Sequence, residues 1–478
     1  MKTHRRLLRY LWPHQKELGA VTLTMLLGIG IEILKPWPMK LLLDQVLGQQ
    51  PLPGEVKAIA SLLPGSAGTE GLLLWVCIGT LVLFLAGWLM TTANLAYTVR
   101  LGQCMVFDLG ADIFLHLQKL SLLFHSRRAV GDTVARVTGD AYCVNALIAG
   151  AMLPALQSLI MLVAMFFVMW QLEPTMTLLA LTVTPFLMLS IRIFGRAMRE
   201  RGRERRTLEG QMMSMVTQAL SAIPAVQAFT REEIEQQRFR SYADQTVTAY
   251  ERSALADMWF KLFVGLVTSA GTAAIMYLGA RYALQGKVTV GTIILFLSYL
   301  QSLYAPLNAL TYTASTIQDA AARAERVMEI LDTPLDVQDA PDARDLKLRG
   351  RVRVRGVSFG YEESRPVLRD INFHAEPGEM IAIVGPTGAG KTTLVSLLLR
   401  FYNPWTGAIT IDGEDIRRLR LRSLREQVAI VLQEPFIFPL SAAENIAYGR
   451  PDATREQIAA AAAAANADEF IRRLPQGY

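Results

Sequence analysis

Two stretches of this chain, residues 144–172 and 288–317, run without a single Asp, Glu, Lys or Arg. A helix needs about 20 predominantly apolar residues to cross the hydrocarbon core of a bilayer, and each stretch is longer than that. In lipid every backbone N–H and C=O must be paired within the span, so such stretches fold as helices. Composition agrees, with 52% of the 478 residues apolar and 19% charged, against about 45–50% and about 25% in soluble domains. A purely soluble enzyme is excluded, and so is an intrinsically disordered chain. Cys77, Cys104 and Cys143 show neither pairing nor a CxxC spacing, so no disulfide scaffold or zinc ribbon is indicated.

Six apolar spans are expected, with cores near 18–34, 71–99, 144–170, 175–191, 262–280 and 288–317. The first holds Glu32 and Lys35, then Pro36 and Pro38, and is expected to kink before continuing to Leu47. The basic start, MKTHRRLLRYLWPHQK, lacks a small-residue cleavage site and reads as a lead-in to a retained helix. Basic residues sort the loops. Lys2, Arg5, Arg6, Arg9 and Lys16 precede the first span, and Arg100, Lys119, Arg127, Arg128 and Arg136 separate the second from the third. Seven arginines between Arg192 and Arg206 open the loop after the fourth, whereas residues 49–70 carry Lys57 alone. This bias places both termini and the two long loops on the cytoplasmic side of a multi-pass protein; the compact layout of the chain, not the bias, is what points to a bacterial inner or plasma membrane. The net charge of +6 therefore reads as topology, and no nucleic-acid partner is expected.

Residues 100–140 and 192–250 hold few Pro or Gly, so the membrane helices are expected to continue well beyond the bilayer. Glu32 and Lys35 lie on one helical face; they line a translocation path or form a self-paired, snorkelling couple. Asp257 and Lys261, at i,i+4, read as a structural pair. Met152, Met161, Met165, Met169, Met176 and Met188 read as filler in lipid-facing helices, with a deformable binding surface as the other reading.

After Ile330 the composition changes. Residues 331–349 are polar and proline-containing and mark a linker between a transmembrane domain, 1–330, and an α/β domain, 350–478. Arg351–Arg355 alternates like a half-exposed strand, Met380–Val384 and Val428–Leu432 read as short buried strands, and the alanine run 459–465 reads as helix. Gly385-Pro386-Thr387-Gly388-Ala389-Gly390-Lys391-Thr392 fits the G-x-x-x-x-G-K-[ST] pattern between an apolar strand-like run and a helical run. Glycines there let the backbone wrap a phosphate, and the following helix N-terminus adds positive potential. Lys391 is expected to reach the β- and γ-phosphates of a nucleoside triphosphate, and the Thr392 hydroxyl to ligate Mg²⁺. The nucleotide-contacting set runs from Gly385 to Thr393.

Taken together, the chain resembles an ATP-binding cassette (ABC) exporter half-transporter over its whole length. The resemblance is carried by GVSFGY at 356–361, VLQEPFIF around Gln433, SAAENIAYG at 441–449, ANADEFIRRLPQGY at 465–478, FHSRRAVGDTVARVTGD at 124–140 and IPAVQAFTRE at 223–232. It implies that Tyr361 stacks on adenine and that Gln433 contacts Mg²⁺ and the attacking water, so that ATP and Mg²⁺ are the cofactors. It implies two coupling segments, near 127–137 and 225–231, and a homodimer or heterodimer with a second half-transporter that exports a hydrophobic or amphipathic substrate. Phe436 and Phe438 either receive a coupling helix or are simple core. The family's signature loop, second acidic strand with its catalytic glutamate, and switch histidine would follow the residues present here. The chain is therefore expected to be the N-terminal part of a longer protein, or a form completed by another chain. The alternative reading is a subunit that binds ATP without hydrolysing it.

Overall fold

The first apolar span breaks where its prolines stand. In the computed structural model, which describes residues 6–51, 68–362, 364–433 and 436–478, a 3₁₀ turn at Leu8–His14 leads into helix α1, Gln15–Leu34. The helix interrupts at Lys35 and Pro36 and resumes as Trp37–Leu41 and a π-type turn at Leu42–Leu47. Lys2, Arg5, Lys57, Glu434 and Pro435, which figured in the reading above, lie outside the described residues.

Contacts divide the chain into two compact units, Met1–Asp112 with Val137–Met328, and Ile113–Arg136 with Glu329–Tyr478. Among the described residues six helical segments are long and apolar enough to cross a membrane: Leu8–Leu47, Thr69–Lys119, Val130–Leu172, Pro174–Ser221, Glu232–Leu284 and Val290–Leu307. The principal helices are α2, Thr69–Lys119; α3, Leu153–Leu172; α4, Pro174–Ser221; α5, Glu232–Leu284; α6, Val290–Ser302; and α7, Tyr304–Leu331. Helices α2, α4 and α5 hold 51, 48 and 53 residues. At about 1.5 Å per residue each is more than twice as long as the roughly 30 Å hydrocarbon core. The expected extension beyond the apolar spans is therefore present.

The first unit is held by a core shared among α1 and α3–α7. Met25, Ile29, Val183, Phe260, Ile275 and Phe296 are buried in it. Four of the six methionines expected to face lipid, Met161, Met165, Met169 and Met176, are instead buried in this core, while Met152 and Met188 are exposed. An unbranched thioether fills irregular gaps between crossing helices, and apolar content alone does not separate that role from lipid contact. Beyond the kink the Trp37 indole donates to the Tyr299 hydroxyl at 3.1 Å, and Tyr299 donates to the Ile33 carbonyl at 2.7 Å, pinning the broken helix to α6.

The second unit carries an antiparallel sheet of β1, Val352–Phe359; β2, Leu368–Ala375; β3, Thr406–Ile411; and β4, Glu414–Asp415, in the order β2-β1-β3-β4. Val354, Val357, Phe359, Ile409 and Ile411 form its buried face, against Leu394 and Leu397 of helix α8, Lys391–Leu398. The alternating strand and the alanine-run helix, Arg455–Ala464, are where the pattern put them. The strands expected at Met380–Val384 and Val428–Leu432 are not formed. A strand exists through ladder bonds to a neighbour. Among the described residues neither segment has one, and Met380, Val384 and Val431 are 95%, 87% and 97% exposed. The expected linker begins one residue late, since Leu331 still belongs to α7; residues 332–349 form no helix or strand beyond an isolated bridge, Arg344 to Leu419, and lie against this unit. The buried Arg400 guanidinium donates to the carbonyls of Gln338, at 2.6 Å, and Leu419, at 3.1 Å.

Candidate nucleotide site

The glycine-rich loop turns from the exposed segment 380–384 into α8. Gly388 and Gly390 adopt φ of +84° and +91°, the left-handed backbone that side chains with a Cβ avoid. Gly390 is doubly constrained, because a Cβ there would stand 2.7 Å from Cδ2 of Leu368. Its carbonyl accepts from Leu394 N–H at 2.9 Å, which opens α8. The backbone N–H groups of the first turn have no partner within the helix and make it an anion-receptive end. The Lys391 ammonium folds back over the loop, donating to the carbonyls of Gly385 at 2.8 Å and Pro386 at 2.9 Å. Thr392 is exposed at the loop mouth, and Thr393 is buried.

Tyr361 is brought to the same helix. Its phenol lies 2.9 Å from the Thr393 hydroxyl, and its carbonyl accepts from Nη2 of Arg127. The Tyr361 ring meets Phe359 and Tyr402 edge-on, at centroid distances of 5.5 and 5.6 Å, and Phe359 stacks on Tyr402 at 5.2 Å. Burial, with the neighbouring Tyr361 phenol adding to it, pushes the Tyr402 phenol above its ordinary value. Gln433 stands in exposed backbone beside the undescribed residues 434–435, and among the described residues no hydrogen bond joins it to the loop. Phe436 is 71% exposed, and Phe438 stacks on Tyr448 at 4.3 Å; neither enters the core.

The first expected coupling segment, near 127–137, is covered from residue 130 by a short helix at 130–138 that follows another at 122–126. Ser121 donates to Asp336 at 2.6 Å. Arg136 and Arg128 both donate to Glu329, at 2.8 and 2.5 Å. These bonds, that of Arg136 first, hold the Glu329 carboxyl below its ordinary value. The contact of Arg127 with Tyr361 was not legible in the sequence, where Arg127 read as a topogenic charge and as the start of a coupling segment; nothing in residue spacing names a partner 234 positions away.

For a metal, no group of three or more His, Cys, Asp or Glu is preassembled among the described residues. Mg²⁺ typically takes one or two protein oxygens and completes its octahedron with waters and phosphate oxygens. The exposed Thr392 hydroxyl and the exposed Gln433 side-chain carbonyl are hard oxygen donors of that kind.

In the first unit, a cavity of about 470 Å³ is lined by Thr24, Glu32, Asn94, Gln157, Ser158 and Met161 among others. Glu32 lines this cavity and pairs with Lys35 at 2.7 Å, which is the self-paired reading of the couple. Asp257 and Lys261 form their expected pair at 2.6 Å.

Comparison with known proteins fits this geometry. Residues 18–307 match the family described as ABC transporter transmembrane region, and residues 368–477 match ABC transporter. An ATP-dependent lipid A-core flippase of Syntrophus aciditrophicus is 30% identical over 100% of this chain and 76% of its own length. An uncharacterized ABC transporter ATP-binding protein of Bacillus subtilis is 29% identical over 99% of this chain and 76% of its own length. The solved structure of a bacterial Atm1-family ABC exporter with ATP bound superimposes with a TM-score of 0.74 at 27% identity, covering 97% of this chain and 79% of that one. The chain belongs to the ABC transporters and has the build of an exporter half-transporter, six membrane-spanning helices followed on the same polypeptide by a nucleotide-binding domain.

Proposed function

We propose that this chain binds MgATP on the loop Gly385–Thr393 and couples that binding, and hydrolysis, to export of an amphipathic substrate. The observation that carries the reading is the glycine loop delivering Lys391 and Thr392 at the N-terminus of α8, in a chain with six membrane-capable helices. Lys391 would exchange the carbonyls of Gly385 and Pro386 for β- and γ-phosphate oxygens. Thr392 and Gln433 would hold Mg²⁺, which would neutralise the developing phosphate charge, and Gln433 would also orient the attacking water. Tyr361 would stack on the adenine. An aromatic face there accepts a base without need of a charged partner.

The mixed lining of the Glu32 cavity, hydroxyls and amides beside Met161, supports a substrate with both polar and apolar parts. The curated flippase relative is named for a lipid cargo. The basic loops support a cytoplasmic nucleotide domain and termini. The active unit is a dimer with an identical or related half-transporter.

The test is binding of a fluorescent ATP analogue, with Mg²⁺, to the purified chain in detergent or nanodiscs. Wild type is expected to bind and to release the analogue to excess ATP; Lys391→Ala is expected to lose binding while still inserting in the membrane. Equal binding by Lys391→Ala overturns the assignment of the loop.

A further inference from the structure

Tyr361 stands in the turn between β1 and β2, where Val367 N–H returns to the Phe359 carbonyl at 2.8 Å and Arg365 N–H to the Glu362 carbonyl at 2.9 Å. Neither of those bonds holds Tyr361 itself. Two others do: the phenol on Thr393, and the carbonyl on Arg127. The second is charge-assisted on the donor side, so it is the stronger kind of restraint on a loop.

The three arginines of the segment 127–136 divide their work. Arg128 and Arg136 are spent on the Glu329 carboxylate. Arg127 is directed at a neutral backbone carbonyl, that of Tyr361, whose phenol is hydrogen-bonded to Thr393 of the helix behind the glycine loop. A guanidinium placed on a carbonyl one residue beyond Gly360 fixes where the following bonds of the loop point, and with them the Tyr361 ring. The same segment is anchored on its other side by Ser121 to Asp336 and by Leu123 against the sheet core.

We propose that Arg127 is a positioning residue for the nucleotide base: by holding the Tyr361 carbonyl it sets the presentation of the ring to adenine and ties base occupancy to the segment Ser121–Arg136. The inference rests on the reading of Tyr361 as the adenine-stacking residue. It also assigns a direction of regulation. A displacement of this segment frees the Tyr361 carbonyl and lowers ATP affinity, and by reciprocity bound adenine holds the segment in place. Base–aromatic stacking lost entirely is worth about tenfold or more in affinity, and a ring left in place but unfixed forfeits part of that.

The experiment compares MgATP with magnesium tripolyphosphate, which offers the phosphates without a base, as competitors of a fluorescent ATP analogue on the full chain. Arg127→Ala is expected to weaken ATP by about three- to tenfold and to leave tripolyphosphate unchanged. Arg127→Lys is expected to recover part of the loss, because a point-charge donor reaches the carbonyl without the planar fork. In a double-mutant cycle, Tyr361→Ala is expected to remove the effect of Arg127→Ala. An Arg127→Ala chain with wild-type ATP affinity overturns the inference, and so does one that loses both ligands by the same factor. A Tyr361→Ala chain with an unchanged ATP-to-tripolyphosphate ratio overturns it by removing its base, and leaves the Lys391 assignment standing.

Discussion

The Asp44 carboxylate, 3% exposed, accepts the backbone N–H of Gly291 at 2.8 Å while its other oxygen takes the Thr289 hydroxyl at 2.6 Å and the Lys40 ammonium at 3.0 Å. It thereby stitches the continuation of α1 to the start of α6, where Thr289 caps the helix. A carboxylate at a helix N-terminus satisfies orphan N–H groups and meets the positive end of the dipole. Asp44→Ala should therefore cost roughly 2 kcal/mol, the scale of a hydrogen bond to a charged group, with Asp44→Asn costing less. Thermal unfolding in detergent reads this out, and an Asp44→Ala protein as stable as wild type would contradict the stitch.

Close approach of α4 and α5 depends on a missing side chain. A Cβ on Gly271 would stand 2.5 Å from Cγ2 of Val183, a β-branched side chain with one favoured rotamer. On Gly279 it would meet the flexible end of Met176 and a methylene of Ile293, both at 2.9 Å. Overpacking a core costs about 1–3 kcal/mol. Gly271→Ala should fall in that range and Gly279→Ala should cost less, since Met176 can swing aside and Ile293, at 2.9 Å, crowds the position less than Val183 at 2.5 Å. The reverse ranking in a melting experiment would sink this account.

Gly390→Ala should cripple nucleotide binding by geometry, with Lys391 and Thr392 untouched. The residue needs a positive φ and has Leu368 2.7 Å from the position of a Cβ. A strained loop no longer directs its N–H groups at one point. Affinity for a fluorescent ATP analogue is expected to drop at least about tenfold, roughly 1.4 kcal/mol or the scale of a residue forced into left-handed backbone. Retained affinity would mean that the loop tolerates another path.

The Glu329 pairing predicts an acid-side loss of stability in the second unit. The carboxyl lies below its ordinary value because Arg136 and Arg128 donate to it. A depressed folded-state value means its contribution is fully present above the unfolded value, about 4.3, and is lost as pH falls through the folded value. The side chain is 51% exposed, so solvent screening keeps the contribution under about 1 kcal/mol. Glu329→Gln should lower stability at pH 7 and flatten the acid limb below about pH 4.3. Parallel acid limbs for the two proteins would remove Glu329 from the account.

Much of this architecture was legible because it depends on local rules. Charge-free length called for membrane helices, Pro36 and Pro38 broke the first of them, and sparse punctuation allowed α2, α4 and α5 to run on. The glycine loop was visible because its chemistry is contiguous in the chain. What spacing left dark was pairing at a distance. Met380–Val384 and Val428–Leu432 have the composition of strands, yet composition supplies no neighbour, and without ladder bonds they form no strand and, Val428 apart, stay exposed. Met165 and Met176 carry the same apolar signal whether they face lipid or a core, and helix packing decided for the core. Arg127 and Tyr361, Asp44 and Gly291, and Glu329 with its two arginines meet only after the chain has folded. Sequence alone determined which segments become helices and where the glycine loop stands, because those depend on neighbours within a few residues. Tertiary structure decided which charges meet and which apolar faces are covered, because those are settled by contacts between residues far apart in the chain.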